Sequence, residues 1–145
     1  MINTKHVTGR RELHFQKFEE MLADAEEITS GEYQTLGNLS AGQILKHLAM
    51  MPGPARWLMR LFMKKKFLTQ PMSPGINMPK KAQKVTIPGE TSTEEGLAAL
   101  RIAVKRQRDV QKRALNGALG PLTLKEWEQF HLRHAELHLS FIVPK

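Results

Sequence analysis

Cysteine is absent from this 145-residue chain. Its absence excludes disulfides, thiolate zinc sites, iron–sulfur clusters and a cysteine nucleophile, so a transition metal could be held only by histidine and carboxylate. Aromatic residues are sparse at 6%, with a single tyrosine. No run approaches the roughly 18 uncharged apolar residues of a membrane span, and Met1–Arg11 has no apolar leader core. Glycine-rich phosphate loops and the nucleophile elbow are missing, as are internal repeats and low-complexity tracts. Strand patterns are nearly absent. These gaps leave a soluble, cytoplasmic, all-α protein as the expectation.

What is present is an ordinary globular composition, 41% apolar and 25% charged, in a chain long enough for one domain spanning 1–145. The net charge of +8 is unevenly placed. Residues 1–50 carry 5 Lys/Arg against 7 Asp/Glu, whereas residues 51–90 carry 8 against 1. The basic middle, centred on Lys64, Lys65 and Lys66, could attract nucleic acid or an anionic surface, although a solvated face is the commoner use of such a run.

Apolar periodicity predicts four main helices. The first spans Phe15 to Thr29, with Phe15, Phe18, Met21, Leu22, Ala25 and Ile28 inward and Gly31 as its stop. In the second, Ser40 and Gln43 form a capping box, Leu39 and Ile44 a hydrophobic staple, and the stripe runs Ile44, Leu48, Met51 until Pro52–Gly53–Pro54. A short basic helix over Pro54–Lys66 is predicted next, then a proline-rich crossover from Phe67 to Thr91 with little regular structure. The third main helix starts near Ser92, where Glu95 completes a second capping box, and runs to Leu115 with Leu97, Leu100, Val104 and Ala114 inside. Asn116–Gly117 stops it and Gly120–Pro121 turns the chain. The last helix starts at Thr123, capped by Glu126 and stapled by Leu122 with Trp127, and continues to Val143. The expected fold is a four-helix bundle whose long crossover lets the second and third helices run parallel.

Chemistry is concentrated in histidines. His6 and His14 lie near the chain start without an evident partner. The last helix carries a stripe of Trp127, Phe130, His131, His134, Leu137, His138 and Phe141. His134 and His138 are one turn apart on one face, close enough to share an ion with bonds of about 2.0–2.1 Å. His47 sits among Ile44, Leu48 and Met51 and also faces inward. A lone core histidine is usually a hydrogen-bonded interior residue. Three on converging apolar stripes point instead to a metal, because burying several polar rings without a shared purpose is costly.

His131 could be a fourth ligand, a proton relay or a partly exposed residue. We favour a supporting or exposed role for it, and we place Gln43 with it as a supporting residue behind the ligands. In His134-Ala-Glu-Leu-His138 the glutamate is two positions past the first histidine, about 200° round the helix. That is not the zincin arrangement, so Glu136 is expected on the solvent side or behind the ligands, and no catalytic base is identified.

The segments Thr35-Leu-Gly-Asn-Leu-Ser-Ala-Gly-Gln-Ile-Leu-Lys-His47 and Pro121 to Phe141, with Leu61–Leu68 and the Glu90–Leu97 helix start, carry a resemblance that covers most of the chain. The sequence resembles the DinB/YfiT-like superfamily of metalloenzymes, and more narrowly a bacterial family of unknown function within it. The resemblance implies a four-helix bundle with a divalent metal on a histidine triad, which by position is His47, His134 and His138. It also implies relatives that are thiol-dependent transferases. Against the family pattern, the stretch from His47 to Trp57 is short, cut by Pro52–Gly53–Pro54.

The functional expectation is a metal-dependent transferase using a low-molecular-weight thiol, or a hydrolase. Its ion would be zinc or nickel, acting as a Lewis acid on a small-molecule substrate. Met50, Met51 and Trp57 are candidate pocket walls. A homodimer remains open. The alternatives are a metal-stabilised structural protein and a non-catalytic module that binds nucleic acid or an anionic surface through residues 56–84. Trp57 and Phe62 fall on the apolar face of that region, which argues against nucleic acid as the partner.

Overall fold

The computed structural model describes residues 2–50, 70–75, 80–114 and 124–145. The predicted basic helix with its three lysines, the Pro52–Gly53–Pro54 break, Met51, the Asn116–Gly117 stop, the Gly120–Pro121 turn and the caps at Leu122 and Thr123 lie outside these residues.

Within them the chain is mostly helical. After a single 3-10 turn at Thr4–His6 come α1 (Phe18–Ser30), β1 (Tyr33–Thr35), α2 (Ala41–Ala49), α3 (Lys80–Thr86), α4 (Thr93–Ala114), α5 (Leu124–Leu139) and β2 (Ile142–Pro144). Both capping boxes that fall in described residues form. Ser40 Oγ accepts from Gln43 N at 3.2 Å while Gln43 Oε1 accepts from Ser40 N at 3.0 Å. Ser92 and Glu95 do the same at 3.1 and 3.0 Å. Each pair satisfies backbone N–H groups that a helix start leaves orphaned.

Helices α2 and α4 run in the same direction and lie close together. A Cβ at Gly96 would fall 2.7 Å from the Gly42 carbonyl oxygen and 2.8 Å from Leu45 Cβ, and one at Gly42 would collide with the Thr91 and Ser92 backbone. Only glycine permits that approach at both positions. Helix α1 packs on α4 and α5, and α2 packs on α5 as well. The core gathers Phe18, Met21 and Ala25 of α1, Ile44, Leu45 and Leu48 of α2, Leu100 and Val104 of α4, and Leu132, Ala135 and Leu139 of α5.

Four expectations need correcting. The fold is not purely helical, because β1 and β2 pair antiparallel, with Tyr33 opposite Pro144 and Thr35 opposite Ile142. The last helix stops at Leu139 rather than Val143. Beyond it the backbone is taken up elsewhere: Arg11 N–H donates to the Ser140 carbonyl and Phe141 O accepts from Leu36 N–H. The β-branched Ile142 and Val143 then suit the strand. The crossover contains a regular element, the two-turn α3, whose signal was masked by surrounding prolines and glycines. Finally, the buried face of α5 is rotated from the predicted stripe. It holds His131, Leu132, Ala135, Glu136 and Leu139, and leaves His134, Leu137 and His138 half-buried at its edge.

Candidate metal centre

His47 is in the last turn of α2, one residue before fully buried Leu48. His134 and His138 are on α5, flanking fully buried Ala135 and Leu139. Packing of those apolar neighbours sets the three histidines on the seam between α2 and α5. One nitrogen from each lies within 4.8 Å of the others. His134 Nε2 stands 3.3 Å from His47 Nε2 and 3.0 Å from His138 Nε2. Two donors at about 2.1 Å from one tetrahedral ion would be about 3.4 Å apart, so the spacing suits a shared ion. No further histidine or carboxylate joins the cluster among the described residues.

The orientation of His47 is set from behind. Its Nδ1 lies 2.6 Å from the carbonyl oxygen of Thr86, at the end of α3. A carbonyl can only accept, so Nδ1 carries the proton and, in the neutral ring, Nε2 presents its lone pair to the other histidines. The ring plane of His134 lies parallel to Phe130, 6° apart, with centroids 6.2 Å distant.

Burial holds these rings neutral. His138 is pulled down to about 3, first by burial and then by the charge His47 would carry. His134 lies well below the ordinary range for the same reasons, with His138 and His47 adding repulsion. His47 is lowered by burial, with its bond to Thr86 pulling the other way. A cluster that resists protonation keeps its lone pairs available to a cation at neutral pH.

Gln43 and His131 both stand outside the ring cluster. Gln43 touches none of the ligand rings in the bonds it makes. Its Nε2 donates to the Pro88 carbonyl at 3.0 Å, two residues beyond the carbonyl that holds His47. His131 is buried rather than exposed: it is 2% exposed, lies outside the cluster, and neither ring nitrogen has a hydrogen-bond partner among the described residues. Trp127, Phe130 and Phe18 surround it, the Trp127 ring at 4.2 Å and nearly perpendicular. Burial lowers it to about 4.

Glu136 is not on the solvent side. At 8% exposure it accepts from Phe15 N–H at 2.6 Å and faces Arg133 at 3.0 Å, tying the segment before α1 to α5. His14 does have partners, with Arg133 Nη1 at 2.6 Å and Gln16 at 2.7 Å. His6 is exposed in the 3-10 turn. Of the pocket walls suggested by sequence, Met50 is exposed, while Met51 and Trp57 lie outside the described residues. Most of the basic stretch 56–84 is likewise outside them, and its described lysines, Lys80, Lys81 and Lys84, are exposed.

The Thr86 carbonyl was missed by sequence reasoning because a backbone acceptor leaves no trace in residue identity. Among the described residues no helix is long and apolar enough to cross a membrane. Searches of curated proteins and of solved structures give no match. A family model described as "Protein of unknown function (DUF1569)" matches residues 7–145. With nearly its whole length covered by that match, the chain belongs to the DUF1569 family.

Proposed function

We propose that His47, His134 and His138 bind one divalent cation, zinc or nickel, and that the chain is a DinB/YfiT-like four-helix metalloprotein that acts as a transferase using a small thiol, or as a hydrolase. The observation that carries this reading is the convergence of three neutral imidazoles, with His47 locked in the tautomer that offers Nε2 inward. Three nitrogen donors of borderline softness suit zinc and nickel and do not suit calcium or magnesium.

When bound, such an ion supplies a Lewis acid with coordination positions left for an exchangeable ligand. The protein's own part is positional. Helix α5 fixes two donors at one-turn spacing, α2 brings the third, and the Thr86 carbonyl holds its ring. The three rings are half-buried.

The test is thermal unfolding of protein purified without an affinity tag, at pH 7.5, with zinc, nickel or a chelator. An ion that binds only the folded chain raises the melting temperature by mass action, and the chelator removes the gain. His138→Ala should abolish the effect, with His6→Ala as the control that keeps it. A melting temperature indifferent to all three additions would return the histidines to an interior structural role.

A further inference from the structure

Two side chains of α2 reach the segment that joins α3 to α4. His47 Nδ1 donates to the Thr86 carbonyl at 2.6 Å, and Gln43 Nε2, one turn earlier, donates to the Pro88 carbonyl at 3.0 Å. Nearer α4 the same segment is seated on α2 by the close approach of the Thr91 and Ser92 backbone to Gly42. Proline has no N–H to give, and the N–H of Ile87 is used within its own element, on the Gln83 carbonyl at 2.9 Å. Pro88 is buried while Ile87 is 38% exposed. The Gln43 amide is therefore a direct tie from α2 to the stretch just after Thr86.

We infer that Gln43 is a positioning residue for the metal centre: by holding the Pro88 carbonyl it places the Thr86 carbonyl where it fixes the Nδ1–H tautomer and ring angle of His47. This inference rests on the reading of His47 as a ligand. Its physical basis is that a ligating histidine is oriented through its other nitrogen, and that loss of such outer support costs metal affinity about 10–100-fold. Gln43 has a second task, because its Oε1 closes the capping box on Ser40 N–H. The amide thus does two separable jobs with its two ends.

Two substitutions divide the jobs. Gln43→Glu keeps an acceptor for Ser40 N–H and loses the donor to Pro88. Gln43→Lys keeps a donor for Pro88 and loses the acceptor. Zinc affinity, measured by competition with a coloured chelator, should fall at least about tenfold in Gln43→Glu and stay near wild type in Gln43→Lys. Charge alone predicts the reverse order, since a nearby carboxylate attracts the cation and an ammonium repels it. Melting of the metal-free protein should follow the cap, with Gln43→Lys the less stable of the two.

A second readout needs no metal. The imidazole nitrogen-15 shifts of His47 should report the Nδ1–H form in wild type and Gln43→Lys, and a mixture of tautomers in Gln43→Glu. If wild type takes up no zinc, the proposed function fails while the tautomer measurement still decides the role of Gln43. Wild-type zinc affinity together with an unchanged tautomer in Gln43→Glu would overturn the inference.

Discussion

His134 Nε2 and His138 Nε2 face each other at 3.0 Å across one turn of α5. In the neutral pair one ring's own N–H lies between the two nitrogens, and a cation would take the place of that proton. Burial disfavours the extra proton that would charge a ring, bringing His138 down to about 3. The neutral pair therefore keeps lone pairs that an ion can use, and His47 completes the set from α2.

Stability of the metal-free protein should depend on pH through this burial. His138 is lowered to about 3 and His131 to about 4, from 6.5 for an unperturbed histidine. Between those values the unfolded chain takes up protons that the folded rings refuse. The contribution is complete above about pH 6.5 and is lost as the pH falls toward 4 and then 3. Melting temperature with chelator present should decline from pH 7 to pH 4.5. A flat profile over that range would contradict neutral, buried rings.

His131→Leu should stabilise the protein by about 1 kcal/mol at pH 7.5, because it removes two buried nitrogens that have no partner among the described residues. It should leave the zinc-induced rise in melting temperature in place, since His131 lies outside the cluster. Denaturant unfolding with and without zinc measures both effects. Loss of the zinc response would make His131 part of the site after all.

How much of this was readable in advance differs from element to element. Ser40–Gln43 and Ser92–Glu95 announced their helices because a capping box is a local, stoichiometric device. His134 and His138 were paired by helical spacing alone, and His47 by its place in an apolar stripe. The rotation of the α5 face was not legible, because Phe130 and Leu137 look as apolar as Leu132 and Leu139 until the neighbouring helices are placed. Nor was Arg11, which besides Asp24 grips the carbonyls of Leu139 and Ile142 far along the chain. Long-range bonds to backbone atoms carry no residue signature.

Arg11→Ala should destabilise the fold by about 2–3 kcal/mol. Its guanidinium grips Asp24 at 2.7 and 2.9 Å and donates to the carbonyls of Ile142 at 2.7 Å and Leu139 at 3.2 Å. Arg11→Lys should recover little of the loss, since an ammonium cannot reproduce the planar fork. Equilibrium unfolding of the two variants checks this. A lysine variant as stable as wild type would show that charge alone suffices.

Gly42→Ala should cost roughly 2–3 kcal/mol, because its methyl would collide with backbone at Thr91 and Ser92 rather than with a yielding side chain. As α2 is forced from α4, His47 moves with it, so zinc affinity should fall as well. Gly31→Ala has open space around the added carbon and serves as the tolerant control. Equal melting temperatures for the two variants would show that the helices separate easily.

Calorimetric titration of the untagged wild-type protein with zinc at pH 7.5, beside His47→Ala and His138→Ala, tests the central claim most directly. The account predicts one equivalent of zinc bound by wild type and no comparable binding by either variant, since each lacks one of three converging nitrogens. Absence of zinc uptake by wild type, or wild-type uptake by both variants, would contradict it.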